Sequence, residues 1–137
     1  MIYIRQKDYA CILQHCMEGL PNEACGLLGG IRNSDGIQVE KVYLLNNLDA
    51  SSRHFSMNPK EQFAAIKDMR ASGYEMVGNF HSHPAAPSVP SEEDIRLAYD
   101  SSVYYLILSL EDRKHPALNA YIIDREKNVA KEEIVYV

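Results

Sequence analysis

Two histidines separated by one residue constrain this chain more than any other feature of the sequence. Residues 75–80 have the character of a short β-strand and lead directly into His81 and His83. Side chains two positions apart on a strand point to the same face, so we expect the two imidazoles to project together. A divalent metal ion with imidazole ligands needs such a pair. The pair alone is weak evidence, and together with further ligands downstream it predicts a metal site at the end of this strand.

A third ligand is expected shortly downstream. A loop stiffened by three prolines follows the histidine pair and leads to Ser91 and Asp94. Asp94 would add an anionic ligand to two neutral imidazoles and leave a fourth tetrahedral position for water, which is typical of a catalytic zinc site. The same residues also fit a helix start, because Ser91 followed three residues later by an acid forms a capping-box pattern. Both interpretations can hold at once, since a carboxylate in a first helical turn can cap backbone N–H groups or face a metal ion.

The downstream spacing resembles the JAMM motif of the MPN+ metalloprotease family. That motif also has an upstream glutamate, and residues 21–30 resemble the strand that carries it. The matching positions are Glu23, His81, Ser82, His83, Ser91 and Asp94. The resemblance covers roughly half of the chain, and no motif position departs from the pattern.

The resemblance implies a role for each motif residue. His81, His83 and Asp94 are expected to bind one catalytic Zn²⁺ ion, which lowers the pKa of bound water. Glu23 is expected to act as general base and acid, with burial raising its pKa; without the downstream motif it would be interpreted as a solvent-facing acid at a strand end. Ser91 either caps the helix or donates to the oxyanion of a tetrahedral intermediate, and the resemblance implies the second role.

Other polar residues receive weaker interpretations. Asn79 shares the face of the histidines and is expected near the cleft, whereas Ser82 faces the other way and is expected to pack or to support the site by hydrogen bonding. Cys25 shares the face of Glu23, but three ligands and a water already complete the site, so we do not expect it to bind metal. His54 is interpreted as a loop residue outside the site, and His15 as a surface histidine on a helix.

The reaction class implied by the resemblance is metal-assisted hydrolysis of a peptide or isopeptide bond. Relatives of this kind cut after the Gly-Gly tail of ubiquitin or ubiquitin-like proteins, and this chain is most similar to small prokaryotic-type members. The implied partner is therefore a ubiquitin-like or sulfur-carrier protein. Two alternatives stay open: a scaffold that binds ubiquitin-like proteins without hydrolysis, although the metal ligands are all present, and a zinc hydrolase of a small amide.

Composition bounds these expectations. A chain of 137 residues predicts a single domain spanning 1–137. A net charge of −5 argues against nucleic acid as a partner, and no apolar run approaches the ~18 residues of a membrane span. The beginning of the chain has no secretory pattern, so a cytoplasmic location is expected. Three cysteines without C-x-x-C spacing do not form a disulfide framework. Nothing in the sequence favours a particular oligomeric state.

Periodicity and capping residues predict an α+β fold, and the resemblance implies that its mixed sheet is curved and flanked by two longer helices and one short helix. Strands are expected over residues 2–5, 23–31, 37–45, 75–80, 103–108, 118–123 and 129–137, and helices over 6–20, 58–72 and a short segment from residue 91.

Overall fold

Eight strands and three helices make up the protein. The structure, a computed structural model, describes residues Met1–Val137 and confirms the α+β class. None of the helices combines the length and apolar character needed to cross a membrane. The elements in chain order are β1 Ile2–Ile4, α1 Gln6–Gly19, β2 Cys25–Asn33, β3 Gly36–Leu45, α2 Pro59–Ala71, β4 Glu75–His83, α3 Glu92–Arg96, β5 Tyr104–Ser109, β6 Ala117–Ile123, β7 Val129–Glu132 and β8 Ile134–Tyr136.

The strands form one mixed sheet in the order β7-β6-β5-β4-β2-β3-β1-β8. β4 lies near the middle, antiparallel to β2 and parallel to β5. The prediction of one terminal strand over residues 129–137 is wrong, because β7 pairs with β6 at one end of the sheet and β8 pairs with β1 at the other. Only Glu133 separates β7 from β8, so the sheet must curve until its two ends approach each other.

The predicted start of α2 is confirmed by its cap. The side chain of Asn58 accepts a hydrogen bond from the backbone N–H of Lys60 at 2.9 Å, and Pro59 occupies the first turn of α2. At the other end, Gly73 has φ +78°, a conformation that favours glycine after a helix. Local sequence signals therefore fix the position of α2 in the chain.

Two hydrophobic clusters lie on opposite faces of the sheet. The larger contains Phe80 of β4 together with Ile12 and Cys16 of α1. The smaller contains Cys25 of β2 and lies beneath α2. His81 is paired directly opposite Cys25, and directly opposed residues share a face of the sheet, so the face covered by α2 carries the histidines.

Candidate metal centre

Three side chains from two elements converge at the end of β4. The Nε2 atoms of His81 and His83 lie 3.2 Å apart, and Oδ2 of Asp94 on α3 lies 3.2 Å from the first and 3.0 Å from the second. Both histidines are buried and Asp94 is nearly so. The structure thus brings together the three residues that were predicted from the sequence to be metal ligands.

The second ring nitrogen of His83 determines which atom faces the cluster. Its Nδ1 lies 2.8 Å from the carbonyl oxygen of Pro87, which can only accept, so Nδ1–H donates to it. The neutral ring therefore presents the lone pair of Nε2 to the cluster. Burial disfavours the charged ring, but hydrogen bonds to Asp94 and to the Pro87 carbonyl outweigh burial and raise the pKa of His83.

His81 is held differently. Its Nδ1 is buried and has no hydrogen-bond partner. Its ring stacks instead on Phe55, with 4.6 Å between the ring centroids and 24° between the ring planes. Phe55 comes from the chain between β3 and α2, and its position before the cap of α2 gave no signal of this contact.

Asp94 combines both interpretations of its position. Its Oδ2 accepts the backbone N–H of Ser91 at 2.9 Å, and Ser91 Oγ accepts the backbone N–H of Asp94 at 3.0 Å, so the capping box is confirmed. Burial alone would raise the pKa of Asp94, but His81 and His83, which donate to this carboxylate when their rings are protonated, hold the pKa well below its usual range. The carboxylate is therefore ionised where it faces the imidazoles.

This donor set fits a metal ion. Lone pairs of His83 Nε2 and the Asp94 carboxylate face each other at 3.0 Å, which is unfavourable unless a proton or a cation lies between them. Ligands bound at about 2.0 Å to a tetrahedral ion stand about 3.3 Å apart, close to the separations seen here. Cys25 is not part of the cluster. Its thiol is buried, with a pKa raised to about 12 by that burial.

Glu23 lies next to this cluster rather than in it. It is 6% exposed, which rules out the solvent-facing alternative. Its backbone N–H donates to the Ser51 carbonyl at 2.8 Å, and its own carbonyl accepts from Asn47 Nδ2 at 3.0 Å. The following residue, Ala24, donates its N–H to the hydroxyl of Ser82 at 2.9 Å, so Ser82 supports the site by hydrogen bonding as predicted.

The surroundings of the Glu23 carboxyl group raise its pKa. Burial raises its pKa to about 7; His83 opposes this rise and Asp94 adds to it. These electrostatic effects arise because Glu23 lies near the cluster. A carboxyl with a pKa near neutrality can both accept and donate a proton at physiological pH.

Two other histidines were interpreted from the sequence. His54 is exposed, but its Nδ1 pairs with Glu93 Oε1 at 2.8 Å on the rim of the site. The surface interpretation of His15 is wrong, because its half-buried Nε2 lies 3.1 Å and 3.0 Å from the carbonyl oxygens of Cys25 and Leu45. His15 thus donates to two paired strands from α1, a long-range contact that helical periodicity does not reveal.

A groove of about 430 Å³ opens beside the cluster and includes His81 and Asp94 in its wall. Asn79 also lines it, as predicted. Most of the wall is apolar, and sequence reasoning did not identify these residues because they come from five separate parts of the chain. The apolar residues of the wall include Leu27, Phe55, Met57, Met76, Leu97 and Val103.

Fold and site together define an α+β protein whose curved mixed sheet presents a His-His-Asp cluster suited to a metal ion. A family model described as prokaryotic homologs of the JAB domain matches residues 5–123. The chain therefore belongs to this family of JAMM-type proteins, and the resemblance inferred from its motif is confirmed.

Relatives and a solved structure agree with this membership. The chain is 28% identical to the CysO-cysteine peptidase of Mycobacterium tuberculosis over 90% of its own length and 83% of that protein. It is 34% identical to the desampylase of Haloferax volcanii over 74% of this chain and 76% of the relative. The solution structure of a Desulfitobacterium hafniense protein matches with a TM-score of 0.92 and 52% identity, covering 100% of this chain and 93% of that one.

Proposed function

We propose that the protein is a zinc-dependent peptidase that cleaves an amide bond after the C-terminal tail of a ubiquitin-like or sulfur-carrier protein. The observation that carries this proposal is the convergence of His81, His83 and Asp94 beside the buried acid Glu23. The names of the relatives, a CysO-cysteine peptidase and a desampylase, support hydrolysis of conjugates of this class.

The three cluster residues would hold one Zn²⁺ ion, which when bound acidifies water and polarises a carbonyl group. Glu23 takes a proton from the attacking water at its carboxylate and then delivers that proton to the leaving amine. Its raised pKa matches this double task, because a carboxyl of ordinary pKa would be a weak base toward the water and would stay deprotonated near neutral pH.

Ser91 stabilises negative charge on the carbonyl oxygen of the scissile bond. Its oxygen accepts the N–H of Asp94 in the capping box, so the hydroxyl proton is not used by the helix and is available to the substrate. A hydroxyl donor placed at a developing oxyanion acts more strongly in the transition state than in the ground state. Ser91 therefore both caps α3 and assists the reaction.

The groove beside the cluster receives the tail of the partner protein. Its apolar wall suits the side chains of an extended peptide, and because the same wall contains His81 and Asp94, the last residues of that peptide could reach the cluster. A Gly-Gly terminus suits this position, because residues without side chains can approach the buried histidines closely.

The test compares metal content and turnover of wild type with those of Glu23→Gln. The substrate is a sulfur carrier with a Gly-Gly tail extended by cysteine, and release of cysteine is followed by mass spectrometry. Wild type should bind one zinc ion and cleave, whereas E23Q should bind zinc and lose at least about 100-fold in rate, within the range for general acid–base groups. Glu92→Gln, which changes an exposed acid on α3, should behave as wild type.

The outcomes separate the alternatives. Zinc loss in E23Q would make Glu23 a ligand, and retained turnover would remove it from the reaction. Tight binding of the carrier by the zinc-loaded wild type without cleavage would indicate a scaffold. Cleavage of small peptide amides but not of the carrier conjugate would indicate a small-amide hydrolase.

A further inference from the structure

The imidazole of His81 lacks the contact that usually orients a metal-ligating histidine. Such a ring ordinarily donates its second N–H to an oxygen, as His83 does to Pro87. The corresponding nitrogen of His81 is buried without a partner. Rotation about the bond between Cβ and the ring is intrinsically soft, so some other contact must fix the direction of the His81 lone pair.

Phe55 supplies that contact. Its ring lies nearly parallel to the imidazole, at 4.6 Å between centroids, which is the distance of an offset stack. Stacking restricts rotation because turning the imidazole out of the parallel arrangement would drive its edge into the phenyl ring. Phe55 also lines the groove, so it contacts both the cluster and the space for a substrate.

The backbone of Phe55 is fixed on both sides by one residue. Asn47 Oδ1 accepts the N–H of Ser56 at 3.0 Å, and Asn47 Nδ2 donates to the carbonyl of His54 at 2.9 Å. The N–H of Leu48 adds a bond to the Ser56 carbonyl at 2.9 Å. The phenyl ring is therefore presented from an anchored position, although it belongs to a segment without helix or strand structure.

We propose that Phe55 is a positioning residue that orients the imidazole of His81 toward the metal ion by stacking, in place of the hydrogen bond that His81 lacks. This inference rests on the proposed function, because it requires the cluster to bind a metal. Loss of the stacking by Phe55 should therefore change the metal affinity itself and not only turnover.

The experiment titrates the metal-free protein with Co²⁺ and records the dissociation constant and the visible d–d absorption, which reports ligand geometry. Phe55→Leu should bind Co²⁺ about 10-fold more weakly, the lower end of the loss caused by removing an outer partner of a ligand, and should shift the absorption band. Phe55→Tyr keeps the ring and should restore both values to within about 2-fold of wild type. Phe63→Leu makes the same change at a side chain that is 71% exposed on α2 and should leave both values unchanged.

Each outcome supports or contradicts a positioning role for Phe55. Wild-type affinity and absorption in F55L, with only KM for the conjugate raised, would overturn it and make Phe55 a groove wall. If thermal unfolding shows that F55L is poorly folded, Phe55→Met preserves an apolar side chain without a ring and gives the same test. Absence of Co²⁺ binding by wild type would instead contradict the proposed function, so the two failures are distinguishable.

Discussion

The two histidines of the cluster lie two residues apart on β4, yet they depend on different regions of the molecule. His83 bonds to Pro87 in the loop 84–90, and that loop is tied to the sheet through buried hydrogen bonds. The hydroxyl of Ser88 donates to the Ile107 carbonyl at 2.6 Å, and Tyr121 donates to the Ser88 carbonyl at 2.5 Å. The loop 84–90 is therefore part of the core in its hydrogen bonding, although it is irregular in conformation.

His81 depends on the segment 46–57, which is more exposed and makes several contacts with the site at once. Phe55 of this segment stacks on His81, and Asn47 and Ser51 bond to the backbone of Glu23. The two histidines are therefore positioned by different regions of the chain. The loop 84–90 holds His83, whereas the segment 46–57 contacts His81, Glu23 and the groove.

The largest expected effect is a loss of zinc affinity on changing Asp94, which contacts both histidines. Asp94→Asn should weaken zinc binding by about 1,000-fold, or about 4 kcal/mol, since an anionic ligand is lost and both imidazoles lose their shared partner. Competition with a chromogenic chelator measures this loss. Glu93→Gln, the adjacent acid that pairs with His54, should retain wild-type affinity. Equal affinity in D94N and wild type would show that the carboxylate only caps α3.

The second effect tests the burial of Glu23 beside the segment 46–57. Because the pKa is raised to about 7 in the fold, the folded protein binds this proton more tightly than the unfolded chain does. This proton adds about 3 kcal/mol to the free energy of unfolding. The contribution is fully present below pH ~4.5 and is lost as pH rises through about 7. Urea unfolding of the chelator-treated protein between pH 5 and 8 should show this decline relative to E23Q. Parallel pH profiles of the two proteins would contradict the burial.

The third effect isolates the segment 46–57. Asn47→Ala removes the hydrogen bonds that join Glu23, His54 and Ser56, and should lower the free energy of unfolding by about 2 kcal/mol. Turnover should fall as well, because Glu23 and Phe55 lose their common support. Asn46→Ala, which changes an exposed neighbour, should cost less than about 1 kcal/mol and leave turnover intact. Comparable turnover in the two variants would show that the segment does not position the site.

The smallest effect concerns the loop 84–90. Tyr121→Phe removes one of two donors to the Ser88 carbonyl and should lower the free energy of unfolding by about 1 kcal/mol, since Asn119 still donates to it. KM for the conjugate should not change, because Tyr121 is not part of the groove wall. Tyr105→Phe is the matched variant, because it makes the same change in a tyrosine that lines the groove and so tests whether KM responds to the groove wall. A raised KM in Y121F would show that the division between the two regions is wrong.

The sequence predicted those features that depend on local signals. Helix starts followed from caps such as Asn58, and the histidine pair followed from the two-residue repeat of a strand. The approach of Asp94 to the pair was also predictable, since the intervening loop is short and rich in proline.

Long-range contacts were not predictable in the same way. Phe55 lies 26 positions before His81, and no periodicity relates the two. Residues 129–137 carry a continuous strand-like pattern, so their division into β7 and β8 follows only from the curvature of the complete sheet. His15 donates to strand carbonyls because of how α1 packs, which depends on tertiary structure rather than on its own helix.

The proposed metal site consists of His81, His83 and Asp94 around one ion that Glu23 does not touch. Anomalous X-ray scattering from crystals of the zinc-loaded protein, recorded on both sides of the zinc absorption edge, tests it directly. We expect a single anomalous peak within ligand distance of both Nε2 atoms and of Asp94 Oδ2, with the Glu23 carboxylate outside that distance. A peak bound by Glu23, or no peak at the end of β4, would contradict it.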